Sequence, residues 1–397
     1  MALRERIERT LVWVRDAWSI AGISLLLLIV GHYAVGAALG LRQGSGGSGG
    51  SDPRANLPVY DGFPEKHAFW KEQLEARKAN HFEPYVHWKK DGFTGTYTNI
   101  SPDGVRRTVK QQKEAGTTTV YMFGGSALWG DGVPDQETIP SLVQSALGGA
   151  YDVYNFGEIG YVSAQELNAL LYLLSFGNTP DIVIFYDGVN DGYAGAYSPA
   201  IPRDPENLRE KYKRERHPPS PVVELFNRTT YKLLGDYLIA KLAGGGGASH
   251  AWDEKVAPHI EQNAKAVLDV YEAHIRQVKA LAAEYGFKPL FFWQPNLLSL
   301  TRTVLPYEQD IINGHSPVMV RSQTAVYEQA RRRLSGRERE GIVFLGNVFD
   351  SVQEPIYIDY VHLGRRGNEI IADEMVKSLR NYEGLPHVVK EHRLSRS

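Results

Sequence analysis

The chain contains no cysteine among its 397 residues. This absence excludes a disulfide framework, a metal site built from thiolates and a cysteine nucleophile. An excess of charge of one sign is also lacking, because 44 basic and 46 acidic residues give a formal net charge of -2. A nucleic-acid-binding protein would carry a basic excess, so nucleic acid is not an expected partner. With 43% hydrophobic and 23% charged residues, the composition is that of an ordinary globular protein.

A long stretch near the N-terminus lacks charged side chains. Trp18 to Leu41 contains no Asp, Glu, Lys or Arg, and a helix that crosses a bilayer needs roughly 20 apolar residues. The arginines that flank this stretch lie mostly before it, at Arg4, Arg6, Arg9 and Arg15, whereas only Arg42 follows closely. The positive-inside rule then predicts a single-pass anchor in the cell membrane at 1–42, with a cytoplasmic N-terminus and a periplasmic or extracellular remainder. A cleaved signal peptide is the alternative.

Glycine and serine dominate the next segment. Gln43 to Ser51 predicts a flexible tether, and we assign 43–58 to this linker. Residues 46–50 match the G-x-S-x-G spacing of a nucleophile elbow. Because no strand precedes them and no helix follows, we do not assign a nucleophile there. At the other end of the chain, 387–397 is predicted to be a charged C-terminal tail.

Between these ends, 59–386 alternates between short apolar runs and helical patterns. Five runs predict strands: Thr118–Phe123, Tyr151–Phe156, Asp181–Tyr186, Lys288–Trp293 and Ile342–Leu345. Apolar strands separated by helices are typical of a parallel sheet that is covered on both faces. The predicted fold class is therefore α/β, a doubly wound, flavodoxin-like five-stranded parallel sheet sandwiched by helices. Ligands of such folds bind beyond the carboxyl ends of the strands.

Two segments interrupt the alternation. Residues 56 to about 116 predict a β-decorated lead-in that packs beside the sheet. Residues 192–258 predict an inserted segment with Pro-rich turns, and loops of this length are usually lids or binding elements, or are disordered. We expect a lid, and we expect Tyr193, near its start, to contact substrate.

Polar or small residues follow the first three predicted strands. Ser126 comes after the first strand in the run Phe123-Gly-Gly-Ser126, where a helix is predicted to begin. Gly160 follows the second strand and Asn190 follows the third. The backbone N–H groups of Ser126 and Gly160 and the side-chain amide of Asn190 could form an oxyanion hole, which needs donors aimed at one point. Each feature alone has a structural reading as well, as an N-cap or a turn residue.

A fourth motif lies after the last strand. Asp359 and His362 are three residues apart in Tyr357-Ile-Asp359-Tyr-Val-His362. On a turn, this spacing lets the carboxylate orient the imidazole while the other ring nitrogen faces a serine. The sequence therefore predicts a catalytic triad of Ser126, His362 and Asp359.

These four segments resemble the SGNH (GDSL-like) hydrolase family in order and spacing, from roughly Thr117 to Met375. The resemblance implies that Ser126 is the nucleophile, that Gly160 and Asn190 complete the oxyanion hole, and that Asp359 and His362 are orienter and base. Gly125 departs from the founding G-D-S pattern. The resulting G-G-S is similar to a membrane-anchored branch of enzymes of surface-polysaccharide acylation and deacylation, and this likeness implies that Gln294 lines the substrate pocket.

The expected function is serine-dependent hydrolysis of an acyl ester outside the membrane, on an O-acylated glycan or glycolipid. Two alternatives remain open: an O-acyltransferase that modifies an extracytoplasmic polysaccharide, and an inactive membrane-anchored glycan-binding protein. The expected partners are an acylated carbohydrate or lipid-like substrate and the membrane. No cofactor and no metal are expected, because the acidic residues near the predicted site mouth, Asp131, Asp187 and Asp191, are more often solvated or structural.

Overall fold

A computed structural model describes residues 2–43, 52–110, 116–197 and 256–382, together with the single positions 112, 114, 220, 253 and 254. The predicted tether, most of the predicted insertion and the predicted charged tail lie outside the described residues.

The N-terminal region is one helix, α1 (Ala2–Gln43). Its segment Arg9–Val35 has 27 residues and a mean hydropathy of 1.8, which is long and apolar enough to cross a membrane. It is the one such helix in the described part of the chain. The described structure thus contains a helix suited to be a membrane anchor or a signal sequence.

The central sheet confirms the predicted fold class. Before it come the two-residue strands β1 (Asn80–His81), β2 (Lys89–Lys90), β3 (Phe93–Thr94) and β4 (Asn99–Ile100), which form two antiparallel pairs. The sheet itself contains β5 (Thr118–Gly124), β6 (Tyr151–Asn155), β7 (Ile182–Asp187), β8 (Lys288–Trp293) and β9 (Ile342–Phe344). Its strands are parallel in the order β6-β5-β7-β8-β9. Counted along the chain this order is 2-1-3-4-5, the flavodoxin-like arrangement.

Helices cover the sheet in two packed groups. The bounds are α2 (Lys66–Lys78), α3 (Ser126–Trp129), α4 (Ile139–Leu147), α5 (Ser163–Ser175), α6 (Val189–Tyr197), α7 (Ile260–Tyr285), α8 (Pro306–Asn313), α9 (Pro317–Leu334) and α10 (Arg365–Asn381). Helix α7 packs against α5, α6 and α9, whereas α4 packs against α10. This division is the one a doubly wound sheet requires. Short 3-10 helices lie at Pro53–Asn56, Pro58–Tyr60, Asp135–Glu137, Gly148–Ala150, Ala257–His259, Leu297–Ser299 and Glu338–Glu340.

An aromatic row crosses the sheet and holds neighbouring strands in register. Phe156, which follows β6, stacks on Phe123 of β5 with ring centroids 5.3 Å apart, and Phe123 stacks on Phe185 of β7 at 5.4 Å. Phe185 in turn stacks on Phe291 of β8 at 5.5 Å. Such cross-strand pairs stabilise a sheet beyond its backbone hydrogen bonds, and they fix the relative heights of the strand ends where the site lies.

The lead-in segment differs in part from the prediction. Its strands are only two residues long, and its largest element is helix α2, which the sequence interpretation missed. The buried Phe69, Trp70, Gln73 and Ala76 show which face of α2 packs inward. Gln73 donates from Nε2 to the backbone oxygens of Gly130 and Val133 and accepts from Gly132 N–H, so α2 fixes the loop that follows α3.

The first residues of the predicted insertion are helical. Residues 192–197 belong to α6, which contacts α7 and α9. Residues 256–258 lead directly into α7 through the 3-10 helix Ala257–His259. The predicted lid, between these points, lies outside the described residues except for positions 220, 253 and 254.

Candidate active site

Ser126 lies where β5 ends and the single-turn helix α3 begins. Gly124, at the end of β5, has no room for a side chain. A Cβ there would come within 2.8 Å of both Leu128 Cβ and the carbonyl oxygen of Tyr186 on the neighbouring strand β7. Helix α3 has only four residues, so its dipole is small, and individual N–H groups are what can stabilise an anion.

Ser126, His362 and Asp359 form a continuous hydrogen-bonded chain. Ser126 Oγ is 2.7 Å from His362 Nε2, and His362 Nδ1 is 2.6 Å from Asp359 Oδ2. The other carboxylate oxygen, Asp359 Oδ1, accepts the backbone N–H groups of Val361 at 2.9 Å and His362 at 2.8 Å. This local turn explains the three-residue spacing, because it folds the carboxylate back against the imidazole of its own segment. The structure thus brings the three predicted residues together in the order nucleophile, base and orienter.

Within the triad, Asp359 and His362 each favour the charged form of the other. Burial disfavours the ionised carboxyl of Asp359, but the His362 ring and the two backbone N–H donors lower the pKa of Asp359 to about 2. Burial also disfavours the imidazolium, yet the carboxylates of Asp359 and Asp131 outweigh it and raise the pKa of His362 above its ordinary value. Asp359 is therefore an anion across the physiological pH range, and His362 is a stronger base than a free imidazole.

Of the predicted oxyanion donors, the Asn190 side chain lies beside Gly125, the residue that precedes Ser126. Asn190 lies in the first turn of α6, and its Nδ2 donates to the Tyr161 carbonyl oxygen at 2.8 Å. An amide nitrogen carries two hydrogens, so one remains for a ligand. Gly160 adopts a positive φ of 82°, which glycine tolerates without strain. Among the described residues, none accepts a hydrogen bond from the N–H of Ser126 or of Gly160.

Gly125 lies where the surrounding side chains leave no room for a Cβ. A Cβ at this position would lie well within 3.0 Å of Asn190 Nδ2 and 3.4 Å from the Tyr161 carbonyl oxygen. The backbone of Gly125, with φ -78° and ψ -157°, is ordinary extended geometry. The glycine is therefore needed for space and not for conformation, because the Asn190 amide occupies the place of a side chain.

A buried carboxylate holds the loop that carries Gly160. Glu158 is 3% exposed and donates its own N–H to the Gly124 carbonyl oxygen at 2.9 Å. Its carboxylate oxygens accept the backbone N–H groups of Ile159 at 2.8 Å and Lys90 at 2.9 Å. Burial raises the pKa of Glu158 to about 7 even though the Lys90 charge and these N–H groups lower it. Glu158 thus ties the Gly160 loop both to the end of β5 and to the lead-in segment.

The two predicted substrate contacts occupy different environments. Gln294 follows β8, is 4% exposed, and donates its backbone N–H to the Asp187 carbonyl oxygen at 2.8 Å. This places Gln294 beside the strand end that leads to Asn190. Tyr193 is half-buried on α6, three residues beyond Asn190 and therefore on the same side of that helix. Their predicted roles in binding remain predictions.

Asp131 lies beside His362, a contact that the sequence did not predict. Its side chain is 2% exposed, and its Oδ2 lies 3.6 Å from His362 Nε2. Arg77 Nη1, from the end of α2, contacts both carboxylate oxygens, at 3.0 Å and 2.8 Å. The sequence suggested a solvated or structural carboxylate near the mouth. No sequence signal marks the pairing with Arg77, because 54 residues separate the two partners.

A second acidic group, the inner carboxyl cluster, consists of the fully buried Glu166, Asp187 and Asp191. Burial raises the pKa of all three: that of Asp187 to about 8, that of Asp191 to about 6, and that of Glu166 well above its ordinary value. Asp191 accepts from Ser163 Oγ at 2.5 Å, and Ser163 Oγ is 2.8 Å from His274 Nδ1. Burial and the neighbouring Asp187 raise the pKa of Glu166, so this adjoining pair of carboxyls holds at least one proton at neutral pH. The described residues contain no group of three or more His, Asp or Glu arranged to hold a metal ion.

Comparisons with known proteins find similarity only at the level of solved structures. No family model matches the chain, and no curated protein matches it. One similar structure is a carbohydrate acetylesterase family member from Sinorhizobium meliloti, with 14% identity, a TM-score of 0.34, and coverage of 66% of this chain and 98% of that one. Another is a putative arylesterase from Agrobacterium tumefaciens, with 17% identity, a TM-score of 0.33, and coverage of 66% and 99%. A third is a putative lipolytic protein of the G-D-S-L family from Desulfitobacterium hafniense, with 10% identity, a TM-score of 0.34, and coverage of 66% and 99%. A likeness at such TM-scores establishes neither a family nor a function.

Proposed function

We propose that this protein is a serine-dependent acyl-ester hydrolase in which Ser126 is the nucleophile, His362 the general base and Asp359 the orienting carboxylate. The observation that carries the proposal is the unbroken chain from Ser126 Oγ through the imidazole to the carboxylate, at 2.7 Å and 2.6 Å. Both distances are within the hydrogen-bond reach that a nucleophile, its base and the base's orienter require.

The reaction follows from this geometry. His362 Nε2 takes the proton of Ser126 Oγ while the oxygen bonds to the carbonyl carbon of the ester. The negative charge that develops on the carbonyl oxygen is stabilised by the N–H groups of Ser126 and Gly160 and by the amide of Asn190. The tetrahedral intermediate then expels the alcohol, which receives the proton from His362, and leaves an acyl-serine. A water molecule, deprotonated by the same imidazole, cleaves the acyl-serine and restores the free hydroxyl.

We place this activity outside the membrane, on an O-acylated glycan or glycolipid. The long apolar helix at Arg9–Val35 and the arginines that precede it support an outward-facing catalytic domain. The substrate class rests on the sequence resemblance to enzymes of surface-polysaccharide acylation and deacylation. A reporter enzyme fused after Ser51 should be active only on the outer side of the membrane, and activity in the cytoplasm would contradict this orientation.

Covalent trapping tests the nucleophile and the activity together. The full-length protein in detergent is incubated with a fluorophosphonate, and the modified peptide is identified by mass spectrometry. We expect one adduct on Ser126, none in Ser126→Ala, and undiminished labelling in Ser163→Ala. Ser163 is a matched control because its Oγ also lies between a histidine and an aspartate, but it is buried within the inner carboxyl cluster. Absence of labelling in wild type, or labelling that persists in Ser126→Ala, would contradict the proposal.

The second half-reaction distinguishes the acceptor. With an acetyl ester as donor, release of acetate in water is expected for a hydrolase. Acetyl transfer to an added oligosaccharide in preference to water would assign the same site to an O-acyltransferase.

A further inference from the structure

The Nε2 atom of His362 has two neighbours, the Ser126 hydroxyl and the Asp131 carboxylate. Ser126 Oγ lies 2.7 Å from Nε2, and Asp131 Oδ2 lies 3.6 Å from the same atom. Asp359 occupies the opposite edge of the ring, at Nδ1. The imidazole is therefore placed between two carboxylates, of which the proposed triad uses only one.

Asp131 is fixed in this place by the chain around it. Its backbone N–H donates to the Ser126 carbonyl oxygen at 3.0 Å. The neighbouring Gly132 donates to Gln73 Oε1 at 2.6 Å and accepts from the Tyr60 hydroxyl at 2.7 Å. Arg77 contacts both carboxylate oxygens. A buried charge with this many constraints has a defined position relative to the imidazole.

We propose that Asp131 is a positioning residue of the catalytic site, which stabilises the imidazolium of His362 after Ser126 has given up its proton. This inference rests on the proposed function, because it assigns Asp131 a part in the same serine chemistry.

The physical reason is that the hydrogen-bond partner of His362 Nε2 changes during the reaction. In the resting state, Nε2 accepts the hydroxyl proton of Ser126. Once Ser126 Oγ has bonded to the acyl carbon, it is a weak acceptor, while Nε2 carries a proton and the ring a positive charge. Asp131 Oδ2 then faces this new N–H bond from a site shielded from water, where a fixed charge acts strongly.

Other charged groups contribute to the potential at the ring. Asp359 comes from the same loop as His362, and the Arg77 guanidinium opposes the effect of Asp131. Arg54 and Tyr60, from the start of the lead-in, interact electrostatically with Asp131, and Arg54 also interacts with Asp359. His315, before α9, interacts with Asp359. A test must therefore separate the charge of Asp131 from that of its partner Arg77.

The same loop provides a matched control. Asp135, four residues later, is also a buried carboxylate paired with an arginine, since Arg106 Nε lies 3.1 Å from its Oδ1. Asp135 also accepts from the Asn99 backbone N–H at 3.2 Å, so it too holds the lead-in against the loop. It has no contact with His362. Removing the Asp135 charge shows what breaking a buried ion pair in this loop costs the structure. Removing the Asp131 charge has the same structural cost and, in addition, any electrostatic effect on the imidazole.

The test measures the rate of Ser126 phosphonylation by a fluorophosphonate as a function of pH, on the full chain in detergent. Labelling requires neutral His362, so the rate rises with pH through the pKa of this residue. Asp131→Asn should move this acid limb to lower pH by about one unit and lower the maximal rate by about tenfold, because a carboxylate this close to the ring favours its protonated form. Asp135→Asn should leave the acid limb where it is in wild type.

The double variant Asp131→Asn/Arg77→Gln separates charge from structure. Asp131→Asn alone leaves the positive charge of Arg77 unopposed near the ring, whereas the double variant removes both charges. If Asp131 acts through its charge, the acid limb of the double variant should therefore move back toward its wild-type position. If Asp131 acts only by holding the loop, the double variant should lose more activity than Asp131→Asn does.

The outcomes distinguish this inference from the proposed function. If wild type is not labelled at Ser126, the proposed function fails. If wild type is labelled but the acid limb in Asp131→Asn coincides with that of wild type, the inference about Asp131 alone is overturned. The double variant leaves no unpaired charge, so it serves as the test where Asp131→Asn does not fold. Because Asp131 affects the imidazole more than Arg77 does, the acid limb of the double variant should still lie at lower pH than that of wild type, and coincidence of the two limbs would overturn the inference.

Discussion

Replacing Gly125 with alanine should inactivate the site without unfolding the protein. The added methyl group would lie well within 3.0 Å of Asn190 Nδ2. The backbone at Gly125 is extended, with φ -78°, so alanine adopts it without strain. The overlap is with the end of a side chain, and the Asn190 amide can rotate away from it. The expected effect is therefore displacement of one oxyanion donor.

The size of the effect follows from what that displacement removes. Loss of one oxyanion donor lowers kcat by about 10²- to 10³-fold, which is about 2.7–4 kcal/mol of transition-state stabilisation. The stability cost is smaller, because the bond that breaks, from Asn190 Nδ2 to the Tyr161 carbonyl oxygen, contributes only about 1 kcal/mol. For a domain larger than 250 residues, such a loss lowers Tm by about 2 °C or less.

Steady-state kinetics on a small acetyl ester, beside thermal unfolding, test this reasoning. Gly125→Ala should lower kcat about as much as Asn190→Ala, and the double variant should be no worse than Asn190→Ala, because both changes remove the same donor. Gly95→Ala is the control, since a methyl group there also overlaps a side-chain oxygen, that of Glu72, away from the site. Wild-type kcat in Gly125→Ala, or additive losses in the double variant, would refute the role assigned to Asn190.

Three further predictions concern the triad, the inner carboxyl cluster and the Gly160 loop. Ser126→Ala and His362→Ala should each abolish turnover, and the double variant should lose no more than either, because these groups act as a unit. Additive losses of kcat would contradict the assignment of both residues to one triad. Asp187 is protonated more readily in the folded state, where its pKa is about 8, than in the unfolded chain, so its contribution to stability is fully present below about pH 4 and is lost as the pH rises to about 8. Glu166→Gln, whose amide replaces a protonated carboxyl, should therefore show a Tm advantage over wild type that grows from pH 5 to pH 8, and parallel Tm profiles would contradict a protonated pair. Glu158→Gln should lower kcat by about tenfold with little change in KM, because an amide cannot accept both backbone N–H groups; a change confined to KM would indicate a role in substrate binding instead.

The sequence was sufficient to predict the sheet and the residues at its carboxyl edge. The predicted strands agree with the observed ones to within one residue at each end. Continuous apolar runs predict buried strands and a regular helical period predicts helices, because both patterns reflect which side chains are buried. Ser126, Asn190 and the Asp359–His362 pair could be placed together because each follows a strand of one parallel sheet.

The lead-in could not be predicted in the same way. Helix α2 carries many charged residues, and only its contacts with the loop after Ser126 make its buried face evident. The pairing of Arg77 with Asp131 and the hydrogen bond from Lys90 N–H to Glu158 join residues 54 and 68 positions apart. Such contacts depend on how the segment packs against the sheet, and no local pattern encodes that packing.

The position of α2 also determines where the catalytic unit begins. All the residues proposed to act on the substrate lie after Thr117, so a fragment starting there would keep every motif and the whole five-stranded sheet. That fragment would lack Tyr60 and Gln73, which hold Gly132, and Arg77, which neutralises Asp131. An unpaired buried carboxylate would then face His362 from a loop that has lost its supports. The smallest active fragment therefore starts before Tyr60, well upstream of the four motifs, because two sides of the site depend on the lead-in segment.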